Sequence, residues 1–256
     1  MKIIAVANQK GGVGKTTTSI NLAAALGAAR KSVLLVDMDA QGNATMGVGV
    51  AKDSLTRTGC DVLLGEADIT EVIVERPELK LSLLPGNSDM TAAEVGLRNQ
   101  KNGELALCNA LKRVNGQFEY VIVDCPPALS MLTVNALAAA TGVLVPMQCE
   151  YYALEGLTAL LDTVEKVRGV LNAELTLDGI LRTMYDPRNN LSGQVSDQLT
   201  GHFKRQVYEV IIPRNVRLAE APSHGLPVNQ YDPSCSGALA YQLLASEMLR
   251  RHRAAA

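Results

Sequence analysis

The five cysteines, Cys60, Cys108, Cys125, Cys149 and Cys235, are odd in number and form no C-x-x-C pair. That spacing argues against a disulfide framework or a zinc site, and reduced, mostly buried thiols are expected. Histidine is equally sparse, since His202, His224 and His252 are too dispersed in sequence to propose a metal site. No apolar run approaches the ~18 residues of a membrane span. The N-terminus enters a strand-like run directly, without a signal-like segment, so a cytoplasmic location is expected. Internal repeats, low-complexity tracts and dividing linkers are also missing, and the chain reads as a single domain over residues 1–256 with room for a substantial core. Acid and base nearly cancel, at a net charge of −2, but unevenly. From Ile180 onward there are nine Lys/Arg against six Asp/Glu, so any polyanion surface is expected in the C-terminal third.

What is present is concentrated first in Lys10-Gly11-Gly12-Val13-Gly14-Lys15-Thr16-Thr17. This stretch lies between the apolar run Ile3 to Ala7 and an apolar-periodic segment from Thr18 to Leu26, the strand–loop–helix setting of a phosphate-binding loop. Glycines let the loop curl with its N–H groups inward. The following helix presents unpaired donors and its positive dipole end to an anion. Lys15 supplies a point charge for the outer phosphates, and the Thr16 hydroxyl is placed to ligate Mg²⁺. Where the general pattern G-x-x-x-x-G-K-[ST] has its first glycine this chain has Gln9, followed by a second lysine, Lys10. The loop is therefore the variant K-G-G-x-G-K-[ST].

Strands are expected near residues 2–7, 33–37, 80–85, 119–124, 142–146, 176–184 and 207–212, and helices near 15–29, 103–114, 130–140, 154–171, 192–204 and 237–252. Runs such as Val33 to Val36 and Tyr120 to Val123 are continuously apolar, as strands buried on both faces are. Their alternation with helices predicts an α/β fold, a doubly wound, mostly parallel sheet flanked by helices. In such a sheet ligands bind beyond the carboxyl ends of strands. The segment Asp37-Met38-Asp39-Ala40-Gln41-Gly42-Asn43 follows the second strand, making Asp37 a candidate for the magnesium shell and Asp39 for orienting or deprotonating a hydrolytic water. Asp124 ends another buried strand before Cys125-Pro126-Pro127 and is the second candidate magnesium-side carboxylate. Glu150 is read as a dimer or nucleotide-edge residue, or simply as part of a solvated loop. In Pro213-Arg214-Asn215-Val216-Arg217, Asn215 is a candidate to read an adenine edge with Pro213 stacking nearby. Arg188, Arg214 and Arg217 are candidates for DNA phosphates.

At these residues the chain resembles the ParA/Soj family of partitioning ATPases, whose loop is the deviant Walker A type. The resemblance runs from Asn8 through Thr17, Asp37 to Thr45, Asp124 to Pro127, Glu150 with Leu154-Glu155-Gly156, and Pro213 through Gly225. It is closest to the short members without an N-terminal helix-turn-helix, so sequence-specific operator reading is not expected. The resemblance implies Mg²⁺-dependent ATP hydrolysis by an ATP-bound sandwich homodimer in which Lys10 reaches the partner's nucleotide while Lys15 and Thr16 act in their own subunit. It further implies nonspecific double-stranded DNA binding through Arg188 and Arg217, hydrolysis through Asp39, stimulation by a ParB-like centromere-binding partner, and nucleoid association. Ala40 departs from the proline of many members. Two related classes share the loop. A MinD-like membrane positioner would need an amphipathic membrane-binding terminal helix, whereas the last helix here has no large aromatic on its apolar face and is expected to dock on its own domain. An iron–sulfur reductase would need a second cysteine in a context matching that of Cys125. A protein-cargo positioner remains open beside chromosome and plasmid partition.

Overall fold

The computed structural model describes residues 1–151 and 153–254. Its strands are β1 (Lys2–Val6), β2 (Val33–Asp37), β3 (Val74–Arg76), β4 (Leu81–Leu84), β5 (Tyr120–Asp124), β6 (Gly142–Gln148), β7 (Thr176–Tyr185) and β8 (Val207–Pro213). The α-helices are α1 (Lys15–Ala28), α2 (Asn43–Gly47), α3 (Gly59–Leu64), α4 (Ile69–Val72), α5 (Met90–Asn99), α6 (Ala106–Lys112), α7 (Met131–Ala139), α8 (Ala153–Val170), α9 (Asn190–Phe203), α10 (Val216–Glu220), α11 (Val228–Tyr231) and α12 (Ser236–Ala254). One sheet takes the order β3-β4-β2-β5-β1-β6-β7-β8, parallel throughout except for the antiparallel edge strand β3. The doubly wound reading holds, with additions.

The sequence patterns missed β3, whose three residues are too few for alternation to register, and the short helices α2 to α5, α10 and α11. The expected helix at 103–114 opens instead as a 3₁₀ turn over Gly103–Leu105 and becomes α-helical at Ala106. Helix α9 begins at Asn190, two residues earlier than periodicity suggested, because the Asn189 side chain accepts the Leu191 N–H and caps it.

Strands β2 and β5 are buried along their whole length, as their unbroken apolar runs require. Successive residues feed opposite faces, so Ile3 and Ala5 join one core while Ile4 and Val6 join the other. The first core lies under α3 and α5 to α9; the second lies under α1 and α12. Helix α12 is fixed by polar contacts as well. Glu247, only 3 % exposed, accepts the backbone N–H groups of Glu209 and Val210, both at 3.0 Å, and pairs with Arg251 at 2.6 Å. His252 Nε2 lies 2.6 Å from Asp178 of β7, whose other oxygen accepts the Tyr208 hydroxyl at 2.6 Å.

Candidate nucleotide site

The loop from Asn8 to Gly14 is tied down at both ends. The Asn8 amide donates to the Pro146 carbonyl of β6 at 2.8 Å while its oxygen accepts the Lys10 N–H at 2.9 Å. At the far end the Thr183 hydroxyl of β7 donates to the Val13 carbonyl at 2.7 Å. Gly14 then enters α1 at φ +88°, a left-handed conformation that costs a Cβ-bearing residue roughly 1–2 kcal/mol. Having no side chain, Gly14 leaves the first-turn donors of α1 uncapped, and no acidic residue occupies that turn. The result is an anion cradle of backbone N–H groups and a positive helix end.

Lys15 is 7 % exposed, and its Nζ folds back to donate to the Lys10 carbonyl at 3.1 Å. Burial pulls its pKa below the usual lysine value, an effect that the charge of Asp124 partly opposes. Polyphosphate oxygens are partners that would favour its charged form.

Sheet register does the rest. Val6 pairs with Asp124, and Asp37 pairs with Asp124, so the start of the loop and both carboxylates end level on three adjacent strands. Asp124 is 0 % exposed, and its Oδ1 accepts the Ser19 hydroxyl at 2.8 Å. Its Oδ2 is buried without a partner. Asp37 is likewise buried, but its Oδ2 accepts both the N–H and hydroxyl of Thr45, at 2.8 and 2.7 Å, and its Oδ1 accepts the Asp39 N–H at 3.2 Å. Burial raises the pKa of both acids, and the charge of Asp37 raises Asp124 further.

These residues fit a divalent cation. An orphaned, fully buried carboxylate oxygen is costly unless something positive meets it, and the Thr16 side chain is near enough to the carboxyl to lower its pKa. Thr16 and Asp124 therefore present the open donor atoms, whereas Asp37 is saturated by protein donors and contributes its charge from the next strand. Asp39 emerges just beyond β2, half-buried, with Oδ1 accepting the Gln41 N–H at 2.9 Å.

Lys10 is exposed at the loop tip and pairs with Glu150 of the same chain at 2.5 Å. Beside Gly14 and Thr17 a cavity of about 320 Å³ opens between α1, β7, β8 and α10, and Pro213 and Asn215 both line it. The amide expected to read an adenine edge is engaged elsewhere. Asn215 Oδ1 accepts the N–H groups of Arg217 and Leu218, capping α10, and its Nδ2 donates to Ser236 at 2.9 Å. Of the DNA candidates, Arg188 and Arg217 leave the carboxyl ends of the neighbouring strands β7 and β8. Each is paired within the chain, Arg188 twice to Asp186 and Arg217 to Glu220 and Asp232.

Sequence reasoning overlooked Ser19, Thr45 and Met184. Ser19 lies one turn after Lys15 on the same helix face, but its partner Asp124 is 105 positions away. Thr45 lay inside the two-aspartate segment without a stated role. Met184 carried no local signal.

A doubly wound sheet with a phosphate loop after its first strand and two strand-end carboxylates beside it defines a phosphate-loop nucleotidase. The family model described as an AAA domain matches residues 1–177. The chromosome partitioning protein ParA of Myxococcus xanthus is 50% identical over 250 residues, covering 98% of this chain and 88% of that protein. The sporulation initiation inhibitor protein Soj of Bacillus subtilis is 48% identical over 247 residues, covering 96% and 98%. A solved structure described as cobyrinic acid a,c-diamide synthase from Mycobacterium smegmatis, with bound ADP and magnesium, matches with a TM-score of 0.88 at 37% identity, covering 100% of this chain and 97% of that one. The chain belongs to the ParA/Soj family of partitioning ATPases.

Proposed function

We propose that this chain, read as one ATPase unit, is a DNA-riding partition ATPase. Two copies close over ATP, the dimer binds double-stranded DNA without sequence preference, and hydrolysis stimulated by a ParB-like partner releases it. The carrying observation is the alignment of the loop with Asp37 and Asp124 across β1, β5 and β2, with one buried Asp124 oxygen unpartnered.

In this reading the α1 first-turn N–H groups and Lys15 hold the β- and γ-phosphates, while Pro213 and the neighbouring apolar wall hold the base. Thr16 and Asp124 would hold Mg²⁺, which when bound neutralises the phosphate charge that builds up in phosphoryl transfer. Asp39, just past β2, orients the attacking water. Lys10 sits at the loop tip, where releasing Glu150 frees it to approach a partner's nucleotide. Charge from both subunits then links nucleotide binding to dimer formation. Arg188 and Arg217 are surface groups on adjacent strand ends, and their exposed pairs with carboxylates are the weak kind that a phosphate backbone displaces. Two copies double the phosphate contacts and the counterion release. The location that follows is cytoplasmic and nucleoid-associated; chromosome, plasmid and protein assembly all remain possible cargoes.

Binding to nonspecific duplex DNA with ATP, ADP or no nucleotide, across a salt series, tests the reading. Binding that needs ATP and weakens steeply with salt supports it. A protein that binds ATP yet ignores DNA in every state refutes it.

For the MinD-like alternative, no helix among the described residues is long and apolar enough to cross a membrane. Peeling α12 onto a bilayer surface would have to break the Glu247 and His252 contacts to β8 and β7. That cost favours a helix docked on its own domain, and ATP-dependent liposome co-sedimentation requiring residues 238–253 would overturn this judgement.

A further inference from the structure

The cavity beside Gly14 poses a question that the nucleotide reading leaves open: what distinguishes one base from another. Three of the polar side chains that line the cavity are already bonded. Both ends of the Asn215 amide are used, Thr183 is bound to the loop, and the Tyr241 hydroxyl lies 3.1 Å from that of Thr18.

Met184 is placed differently. It is a residue of β7 with φ +49°, the left-handed region that a side-chain-bearing strand residue avoids. The pairing of β7 with β8 loses register across this position, between Arg182 and Tyr185. In a regular strand Thr183 and Met184 would point to opposite faces. The left-handed residue puts both on the same side: a Cβ placed on Gly14 would lie 3.8 Å from Met184 Cε and 4.0 Å from Thr183 Cβ. The Gln148 amide nitrogen of β6 lies against Met184 Sδ. The left-handed backbone at this position thus places one flexible apolar side chain at the cavity wall, between the phosphate loop and Pro213.

We propose that Met184 is the residue that selects the nucleobase, and that it does so by apolar fit rather than by reading the base edge with a side-chain amide. The inference rests on the nucleotide reading of this site. A polarisable thioether packs well on an aromatic ring. Against the thioether the added 2-amino group and keto edge of guanine would find no hydrogen-bond partner and would cost more to desolvate than the adenine edge. Removing the side chain opens the wall to water, which satisfies that edge and erases the preference.

Equilibrium titration of the full chain with fluorescent ATP and GTP analogues in Mg²⁺ tests this in wild type, Met184→Gly, Met184→Leu and Asn215→Ala. Glycine adopts φ +49° without strain, so the first variant removes the side chain without threatening the fold, and its melting temperature verifies that. The wild type is expected to prefer ATP. M184G should bind ATP at least about tenfold more weakly with an ATP-to-GTP ratio near one, M184L should recover most of both, and N215A should leave the ratio unchanged. A wild type that binds neither nucleotide overturns the nucleotide-site reading together with this inference. If the wild type binds ATP but M184G keeps its ratio, or N215A alone abolishes it, this inference alone is overturned.

Discussion

Replacing Asp124 by asparagine separates what this carboxylate costs the fold from what it contributes to the site. Asp124 is fully buried, Ser19 donates to one oxygen, the other has no partner, and Asp37 lies directly across on β2. Asparagine keeps the shape and the Ser19 bond. It removes a carboxyl that burial and the facing Asp37 push up to a pKa of about 8, a relief of roughly 1–4 kcal/mol where the group is ionised, at about 1.4 kcal/mol per pKa unit. It also puts an amide NH₂ with two N–H donors where Oδ2 has no partner, a loss of about 1–3 kcal/mol. The two nearly cancel, so the nucleotide-free variant should melt within a few degrees of wild type or above it, given roughly 2–4 °C per kcal/mol for a chain of this size. The ligand response should differ sharply. At ATP about 100-fold over its dissociation constant, binding stabilises the wild type by about 2.7 kcal/mol, or some 5–10 °C, and the share that depends on Mg²⁺ should vanish in D124N. The assay is thermal melting with ATP in Mg²⁺ and again in EDTA. A variant that retains the full Mg²⁺-dependent increment refutes the assignment of the orphaned oxygen to the cation, and one that loses more than about 10 °C without ligand shows the carboxylate to be a structural group.

Lys10→Ala breaks the Glu150 pair at the loop tip but leaves Lys15 and the α1 donors intact; it should bind ATP within a few-fold of wild type and remain monomeric on sizing with light scattering, and an ordinary ATP-dependent dimer would remove the trans role. Lys15→Ala, at a position 7 % exposed inside the loop, should lose ATP affinity at least a hundredfold by calorimetry, and near-normal affinity would count against the phosphate assignment. Arg217→Glu should abolish DNA binding in a filter assay while ATP-dependent dimerisation persists; unaltered affinity would take Arg217 out of the interface. Glu247→Ala strips the β8 N–H groups and Arg251 of their acceptor and should cost about 3–5 kcal/mol in urea unfolding; a loss under 1 kcal/mol would show that α12 is held by its apolar face alone.

Local chemistry was enough for the loop, both aspartates at strand ends and most long elements. Glycines, lysines and threonines within ten residues specify an anion cradle wherever a strand precedes and a helix follows, and runs such as Tyr120 to Val123 are apolar on both faces because both are covered. The parts that stayed hidden are set by groups far apart in the chain. Ser19 meets Asp124 across 105 positions and Thr183 holds Val13 across 170, and nothing near either residue announces its partner. Register alone decided that Asp37 would stand opposite Asp124 and that Asp124 would keep a bare oxygen. The same long-range packing brought Ser236 to the Asn215 amide and Asp232 to Arg217, and turned Met184 toward the loop. Side-chain type and short spacing state which chemistry a chain carries. Which atom of it remains open to a ligand is settled only when distant strands pair, because each donor spent inside the fold is one the ligand no longer meets.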